Sequence, residues 1–216
     1  MKHNLSEIHS IRTDYIKAGL NEDLIKPEAM EQFSDWFDEA LTAKVMEPNA
    51  MTLATSNIEG QPDARIVLLK GIDEKGFVFF TNYNSKKGRD ILENSQVALL
   101  FFWPELERQV RIHGTVDKIS HQQSEEYFHS RPIGSQLGAW ASPQSSIIEN
   151  RQVIEENLKQ VQEKYNNGDI PLPDHWGGYR VEPIKIEFWQ GRASRLHDRI
   201  VYEKNESSWK IYRIAP

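Results

Sequence analysis

The chain of 216 residues is 27% charged and 38% hydrophobic, a balance typical of soluble globular domains, and it carries a net charge of −6. It contains no cysteine, which excludes disulfide bonds, thiolate metal sites and a cysteine nucleophile. The longest apolar run, Val97–Trp103, is too short to cross a membrane, and the N-terminus has no apolar signal core. We therefore expect a cytoplasmic protein that binds no membrane.

The N-terminal part is predicted to be a polar arm followed by a helix. Residues 1–26 are expected to form a mobile arm or a short helix. From Pro27 to Val45 the apolar side chains recur at helical spacing, and Glu47-Pro48 ends the pattern. The side chains expected in the core are Phe33, Trp36, Phe37, Ala40, Leu41 and Val45.

The remainder of the chain is dominated by strand patterns joined by short turns. Strands are predicted at 51–56, 63–70, 76–81, 96–103, 108–119, 183–189, 199–203 and 208–214. Residues 96–103 are nearly all apolar, so we expect burial on both faces. Residues 108–119 alternate, with Val110, Ile112 and Val116 on one side.

Three helices are predicted among these strands. Ser85 is expected to cap a short helix from Lys86 to about Glu93. Capping boxes at residues 120–123 and 146–149 predict helices that end near Arg131 and Tyr165. Ser135 and residues 171–178 are expected in loops. These elements indicate an α+β fold, an antiparallel barrel with flanking helices, in which an arm (1–26) precedes a single domain (27–216).

Residues 65–89 concentrate positive charge in an acidic chain, with six basic side chains and two acidic ones. A local cationic site favours a small anion over a nucleic-acid backbone, so no nucleic acid is expected as a partner. The helix start at Ser85 offers unpaired N–H groups to a phosphate, and Lys86 and Lys87 add charge. The alternative is a solvated turn between a strand and a helix.

A second group of anion donors follows. Tyr127 and Arg131 share one helix face, and Ser135 lies just beyond. Alternatively, Tyr127 packs and Arg131 is solvated. Arg65 and Lys70 are five residues apart, so an unbroken strand would point them to opposite faces. Either a bulge intervenes or the strand serves two anion sites.

A third group lies at residues 189–199, with an indole, three arginines and a histidine. In an extended segment, Arg195 and His197 would share a face, and Trp189 could stack on a planar ring. The alternative is a basic surface loop. The seven histidines show no metal-ligand spacing, so no metal is expected, and P-loop, GxGxxG and GxSxG motifs are absent.

Several motifs, in order along the chain, resemble the pyridoxine/pyridoxamine 5′-phosphate oxidase family. They are RIVLLK (65–70), FFTN with SKKG (79–88), ERQVRIHG (107–114), YFHSRP (127–132), SQLGAW (135–140), QSS (144–146), WGGYR (176–180), IEFWQG (186–191), RLHDR (195–199) and the terminal WKIYRIAP. The resemblance covers nearly the whole chain, from about Arg12 to Pro216.

This resemblance implies an FMN-binding split β-barrel that works as a homodimer, with FMN at the subunit interface. The implied reaction belongs to vitamin B6 metabolism and oxidises pyridoxine 5′-phosphate or pyridoxamine 5′-phosphate to pyridoxal 5′-phosphate. A hydride passes to FMN, O2 is reduced to H2O2, and the amine substrate releases ammonia. Two phosphorylated ligands would account for two anion clusters.

The resemblance also implies the site residues. Arg195 and His197 would be catalytic, and Arg12 and Tyr15 would belong to a lid over the substrate. The implied FMN-binding residues are Arg65, Ile66, Val67, Leu68, Leu69, Lys70, Phe80, Thr81, Ser85, Lys86, Lys87, Gln109, Gln144, Ser145, Trp189 and Arg199. The implied substrate-binding residues are Arg12, Tyr15, Lys70, Tyr127, Arg131, Ser135, Arg195, Leu196 and His197.

The chain departs from the expected family pattern at three places. Lys86 stands where arginine is expected, Glu47 where aspartate is expected, and Thr13-Asp14 where a more basic pair is expected. Three rival functions remain: another split-barrel flavoprotein such as a flavin reductase, a non-enzymatic carrier of FMN or pyridoxal phosphate, and a nucleic-acid-binding barrel. The Tyr127/Arg131/Ser135 group and the RLH segment argue against the first rival.

Overall fold

The structure is a computed structural model that describes residues 14–206 and 208–216. In this part of the chain the α-helices are α1 (Ala29–Thr42), α2 (Lys86–Glu93), α3 (His121–Ser130), α4 (Ile133–Ala141) and α5 (Gln152–Lys164). The strands are β1 (Ala50–Ser56), β2 (Pro62–Leu68), β3 (Gly71–Asp73), β4 (Gly76–Asn82), β5 (Gln96–Trp103), β6 (Arg108–Lys118), β7 (Trp176–Gln190), β8 (Asp198–Asn205) and β9 (Ser208–Arg213). Within the described ranges, no helix is long and apolar enough to span a membrane.

The strands form one sheet in the order β2-β1-β5-β6-β7-β4-β3, and β8 and β9 extend from β7. The pairs β1/β2, β1/β5, β3/β4, β4/β7, β7/β8 and β8/β9 are antiparallel. The long strand β7 uses Trp176–Val181 to pair with β4 and Lys185–Gln190 to pair with β8. The structure therefore agrees with the predicted α+β class with an antiparallel sheet.

By its internal contacts the chain divides into two compact units, each assembled from separate segments. Unit 1 takes the described residues up to Pro48, together with Phe101–Arg111 and Lys185–Pro216. Unit 2 takes Asn49–Leu100 and Ile112–Ile184. The predicted boundary between an arm (1–26) and a single domain (27–216) stays a prediction.

Unit 1 has an aromatic core beneath α1. Phe33 lies 5.1 Å from Phe101 between ring centroids, and Trp36 lies 5.2 Å from Phe188 in an edge-to-face arrangement. Phe33 and Trp36 are buried, as helical periodicity predicted. Leu41 was also expected in this core, but its exposed fraction is 51%. Lys44 adopts a positive φ of 54°, so the chain leaves the helix before the predicted end at Val45.

In unit 2, strand β4 is buried at nearly every position, and helices α3, α4 and α5 pack around a satellite core. Phe128, Leu137, Ile170 and Trp176 form its buried centre, and side chains of α5 pack against it. Strand β6 alternates as predicted, with Val110, Ile112 and Val116 buried. The predicted caps of α2 and α3 are confirmed, because Ser85 accepts from Gly88 N and the Ser120 capping box is complete.

Four local predictions are wrong. Strand β5 is not buried on both faces, since Phe102 is exposed while its sequence neighbours are buried. Ser135 lies in α4 rather than in a loop, because Pro132 occupies a helix-starting position. The predicted loop 171–178 ends early, because Trp176 already pairs with β4. The predicted capping box at Ser146 does not start a helix. Instead Ser146 N donates to Pro143 O in a turn.

The actual start of α5 uses a different side chain. Asn150 Oδ1 accepts a hydrogen bond from Gln152 N at 2.8 Å, two residues before the helix is established. Strand β2 also ends at Leu68, earlier than the predicted residue 70. Lys70 N then donates to Val78 O, which turns the chain toward β3. The argument that Arg65 and Lys70 point to opposite faces of one unbroken strand therefore does not apply.

Candidate active site

The start of α2 is a tight, buried turn that carries two lysines. Ser85 is fully buried, and its hydroxyl oxygen accepts from Gly88 N at 3.3 Å. A Cβ atom at Gly88 would collide with the Tyr83 carbonyl, so this turn requires glycine. Lys86 and Lys87 occupy the first turn of the helix. The arrangement presents backbone N–H groups and two ammonium groups from one short segment, as a phosphate site requires.

The cations near this turn differ in how they are paired. Arg65 Nη2 forms an ion pair with Asp63 at 2.6 Å, and Lys86 Nζ forms one with Asp90 at 2.9 Å. In contrast, Lys87 forms no ion pair among the described residues, and its Nζ donates to Gln144 Oε1 at 3.0 Å. Burial, and then the nearby charge of Arg65, lower the pKa of Lys87. Lys87 is therefore the cation of this group whose charge is least compensated.

A cavity of about 450 Å³ in unit 2 collects many of the predicted ligand-binding residues. Its walls come from β2, β4, α2, α3, α4 and the start of β7. The lining residues are Ile66, Val67, Leu68, Lys70, Phe80, Thr81, Lys87, Tyr127, Arg131, Pro132, Ser135, Gln144 and Trp176. The structure thus brings predicted cofactor-binding and substrate-binding residues to one cavity. Among the other predicted residues of this unit, Arg65, Leu69, Ser85, Lys86 and Ser145 do not line it.

Arg131 is the most informative side chain in the cavity wall. Its Nη1 is buried and has no hydrogen-bond partner among the described residues. The guanidinium lies over the Trp176 ring, 4.6 Å from the centroid, and burial lowers its pKa. An unpartnered buried donor on a cation is costly, and an anionic ligand would satisfy it. The sequence left open that the Arg131 side chain is solvated. Its Nη1 is not solvated, because this atom is buried.

Gln136, which sequence reasoning missed, holds the turn that carries Arg131. It is buried, and its Nε2 donates to Arg131 O at 2.8 Å. Tyr127 stacks on Phe80 with ring centroids 3.8 Å apart, so this tyrosine packs and also lines the cavity. Thr81 and Lys87 both donate to Gln144 Oε1, which connects the loop that contains Gln144 to β4 and α2.

Unit 1 holds an aromatic cluster of Tyr15, predicted for the lid, Trp189, predicted to bind FMN, and His197, predicted to be catalytic. Trp189 and His197 lie 4.6 Å apart between ring centroids, and Tyr15 contacts both edge-on. His197 Nδ1 accepts from Arg192 N at 3.1 Å, so Nε2 carries the proton of the neutral ring. Burial and the charge of Arg195 lower the pKa of His197.

The segment before His197 has an unusual backbone. Ser194 and Arg195 have positive φ values of 58° and 61°, a left-handed conformation that non-glycine residues adopt rarely. Both residues are exposed, and so is Leu196. The strained turn projects the Arg195 side chain from the segment that links β7 to β8.

A buried carboxylate that the sequence analysis did not single out organises the arginines of this unit. Glu187 is only 4% exposed and forms ion pairs with Arg199 and Arg111. Although burial would raise the pKa of Glu187, these two arginines lower it. Arg199 Nη1 also donates to Ala215 O at 3.0 Å, which fixes the guanidinium from a second side.

The predicted residues therefore fall into two sets. Tyr15, Gln109, Trp189, Arg195, Leu196, His197 and Arg199 belong to unit 1, and the other predicted residues that the structure describes belong to unit 2. Arg12 and Thr13 lie outside the described residues. Of the departures from the family pattern, Lys86 pairs with Asp90, Asp14 is exposed, and Glu47 lies exposed in the turn before β1 with a φ of 48°.

Comparison with known proteins gives two family matches. Residues 37–165 match the family described as pyridoxamine 5′-phosphate oxidase. Residues 176–216 match the pyridoxine 5′-phosphate oxidase C-terminal dimerisation region. Together these matches account for most of the chain.

Individual relatives agree with this assignment. A pyridoxine/pyridoxamine 5′-phosphate oxidase of Nostoc sp. is 57% identical over 97% of this chain and 98% of its own length. The protein of that name from Salinibacter ruber is 52% identical over 98% of this chain and 100% of its own length.

Solved structures identify the fold. PhzG from Burkholderia lata 383, in complex with tetrahydrophenazine-1-carboxylic acid, has a TM-score of 0.86 and 28% identity, over 91% of this chain and 98% of PhzG. A pyridoxamine 5′-phosphate oxidase-related, FMN-binding protein of Nostoc punctiforme has a TM-score of 0.68 and 19% identity, over 85% and 97% of the two chains. These likenesses confirm the predicted α+β split-barrel fold, and the sequence matches show that the chain belongs to the pyridoxamine 5′-phosphate oxidase family.

Proposed function

We propose that this protein is an FMN-dependent oxidase that converts pyridoxine 5′-phosphate or pyridoxamine 5′-phosphate to pyridoxal 5′-phosphate. The observation that carries the proposal is the buried Nη1 of Arg131, which has no hydrogen-bond partner in the described part of the chain and lies at a cavity lined also by Lys70, Tyr127 and Ser135. These donors suit a phosphate on a small ligand. Family membership supplies the reaction class.

The residues present fit FMN. The Ser85 turn offers helix N–H groups, and Lys87 is a half-buried cation without an ion pair in the described part of the chain. Arg65, Lys86 and Lys87 would hold the phosphate, and Thr81 and Gln144 would contact the flavin. When bound, FMN supplies a two-electron acceptor that takes a hydride from the substrate and returns the electrons to O2.

The protein side chains bind, orient and polarise. Lys70, Tyr127, Arg131 and Ser135 would anchor the substrate phosphate in the cavity. Arg195 and His197 would face the pyridine ring. His197 remains neutral at pH 7 because its pKa is lowered, and its Nε2–H can donate a hydrogen bond to the ring or to the group being oxidised.

We infer a homodimer that holds FMN at its interface. Trp189, Arg195, His197 and Arg199 all lie inside the segment that matches the dimerisation region, residues 176–216. Residues proposed to contact the flavin and the substrate therefore belong to a segment associated with assembly. Light scattering with and without FMN would test the oligomeric state, and a monomeric FMN complex would contradict this inference.

Tyr15 is proposed to be part of a lid that excludes water from the substrate. Its ring contacts Trp189 and His197, which places it on the proposed ring-binding residues. Arg12 is proposed for the same lid from the sequence alone. The cytoplasmic location expected from the sequence stays a prediction.

The experiment that tests the function is oxygen uptake by the FMN-loaded protein on addition of pyridoxine 5′-phosphate, with pyridoxal 5′-phosphate followed by absorbance. We expect one O2 consumed for each aldehyde formed. If neither pyridoxine 5′-phosphate nor pyridoxamine 5′-phosphate caused uptake by a flavin-saturated protein, the oxidase proposal would be wrong. A carrier would bind these ligands without consuming oxygen, and a flavin reductase would require a reduced nicotinamide.

A further inference from the structure

A buried carboxylate in unit 2, Asp90, has no role in the function as proposed so far. It lies on α2, one turn after Lys86, and is only 4% exposed. Both of its oxygens accept from Lys86 Nζ, at 2.9 and 3.1 Å. Its Oδ2 also accepts from Thr55 Oγ1 at 2.8 Å. Asp90 is therefore fully engaged in hydrogen bonds from two side chains.

Thr55 extends this contact to a second cation. The buried hydroxyl oxygen of Thr55 accepts from Arg65 Nη1, also at 2.8 Å. A hydroxyl has a single hydrogen, so donating it to Asp90 leaves the oxygen lone pairs directed to Arg65. Arg65 Nη1 is further held by Leu53 O at 3.2 Å. One carboxylate thus fixes Lys86 directly and Arg65 through Thr55, and Arg65 Nη2 also lies 3.9 Å from Asp90 Oδ2 in a longer ion pair.

We propose that Asp90 is the positioning residue of the FMN phosphate site, holding Lys86 and Arg65 in the orientation that receives the phosphate. The inference deepens the proposed function and rests on it. Because its oxygens are occupied and buried, Asp90 organises the cations instead of competing for the ligand. Asp63 also pairs with Arg65 and Lys86, at 2.6 and 3.8 Å, but its side chain is 38% exposed, whereas that of Asp90 is 6% exposed.

The proposal and simple electrostatics predict opposite changes in phosphate affinity when the charge of Asp90 is removed. If Asp90 were only a counter-charge, Asp90→Asn would strengthen binding of an anion, because a negative charge would be lost. If Asp90 positions the cations, the same change weakens phosphate binding. An amide cannot accept from Lys86 and Thr55 with the strength of a carboxylate, and Lys86 keeps only its longer ion pair with Asp63, at 3.8 Å.

The test is the affinity of the apoprotein for FMN and for riboflavin, which lacks the phosphate, measured by quenching of flavin fluorescence. We expect Asp90→Asn to raise the Kd for FMN about tenfold, the effect of one charge-assisted hydrogen bond, and to change the Kd for riboflavin little. Thr55→Val breaks the link to Arg65 without changing charge, and it should shift the FMN Kd in the same direction.

Glu93→Gln is the matched control. It removes a carboxylate from the same helix, but Glu93 is exposed, and its carboxylate accepts a hydrogen bond from Ile58 N. An Asp90→Asn protein that binds FMN as tightly as Glu93→Gln, or more tightly, would overturn the proposal. So would an equal loss of FMN and riboflavin affinity. If Asp90→Asn does not fold, Thr55→Val decides by the same comparison. A wild-type protein without affinity for FMN would instead refute the proposed function.

Discussion

Replacing Arg131 by methionine tests the proposed substrate site most directly. The substitution keeps an unbranched apolar side chain near Trp176 and removes the guanidinium. In the free protein, Nη1 is buried and has no partner among residues 14–206 and 208–216, so its contribution is expressed only when an anion binds. The stacking of the guanidinium on Trp176 exists before binding, so its loss affects free and bound states alike.

The expected loss in kcat/KM follows from the single donor Nη1 of Arg131. A hydrogen bond to a charged group contributes about 1.5–3 kcal/mol, which corresponds to a loss in kcat/KM of about 10- to 150-fold, mostly through KM. Initial rates of oxygen uptake against pyridoxine 5′-phosphate concentration would measure it. Flavin absorbance would report the FMN content, which should not change.

Arg151→Met provides the control. Arg151 is 89% exposed at its side chain, and its ion pair is with Glu155 on the same helix. The Arg151→Met substitution should leave KM and FMN content at their wild-type values. A KM for Arg131→Met within twofold of wild type, or a loss of FMN in proportion to the loss of rate, would refute the assignment of Arg131 to the substrate phosphate.

Three further predictions concern pH and stability. Because burial and Arg195 lower the pKa of His197 below its usual 6.5, kcat/KM should be flat above pH 6.5 and fall only in more acid solution; a pH–rate inflection above 6.5 would contradict a neutral His197. Glu187→Gln should reduce the free energy of unfolding at pH 7 by about 1–3 kcal/mol in urea titrations, a figure discounted for the partly exposed arginine partners. In the folded protein the pKa of Glu187 is lowered from its usual 4.5, so its ion pairs stabilise the fold fully above pH 4.5. The difference in free energy of unfolding between Glu187→Gln and wild type should therefore shrink as the pH falls through the folded-state pKa of Glu187. Gly88→Ala should cost about 1–3 kcal/mol by the same urea assay, because its Cβ meets the Tyr83 carbonyl; an unchanged midpoint would show that the turn can relax.

The sequence predicted elements whose signals are local. The Ser85 cap and the Ser120 capping box depend on residues within one helical turn, and both are confirmed. Alternation along β6 was also sufficient, because one face of that strand is buried. The family resemblance was carried by short motifs and is confirmed by the family matches.

One error arose where the deciding contact is distant in sequence, and another where two local signals competed. Trp176 reads as part of a Pro- and Gly-rich loop, yet it pairs with Asn82 across the sheet. The Ser146 capping box was a false match, because Pro143 draws that segment into a turn and Asn150 supplies the acceptor for Gln152 N. No local pattern shows that the helix starts after Asn150 and not at Ser146.

The candidate site shows the same division. The cations could be named from the sequence, but the carboxylates that hold them could not. Asp90 has a weak signal, since it lies four residues after Lys86 on the predicted helix. Glu187 has no usable signal in the sequence, because its partners Arg111 and Arg199 are far apart in the chain and contact Glu187 only in the folded structure.

The left-handed turn at Ser194 and Arg195 sets a limit on engineering this protein for stability. Two consecutive non-glycine residues at positive φ each cost of order 1 kcal/mol, so glycine at either position would relieve strain. At position 194 that gain is open, because no chemical role is assigned to the serine. At position 195 the same substitution would delete the guanidinium proposed to face the substrate ring. Selection for heat resistance alone would therefore favour the loss of Arg195, whereas selection for turnover would retain it.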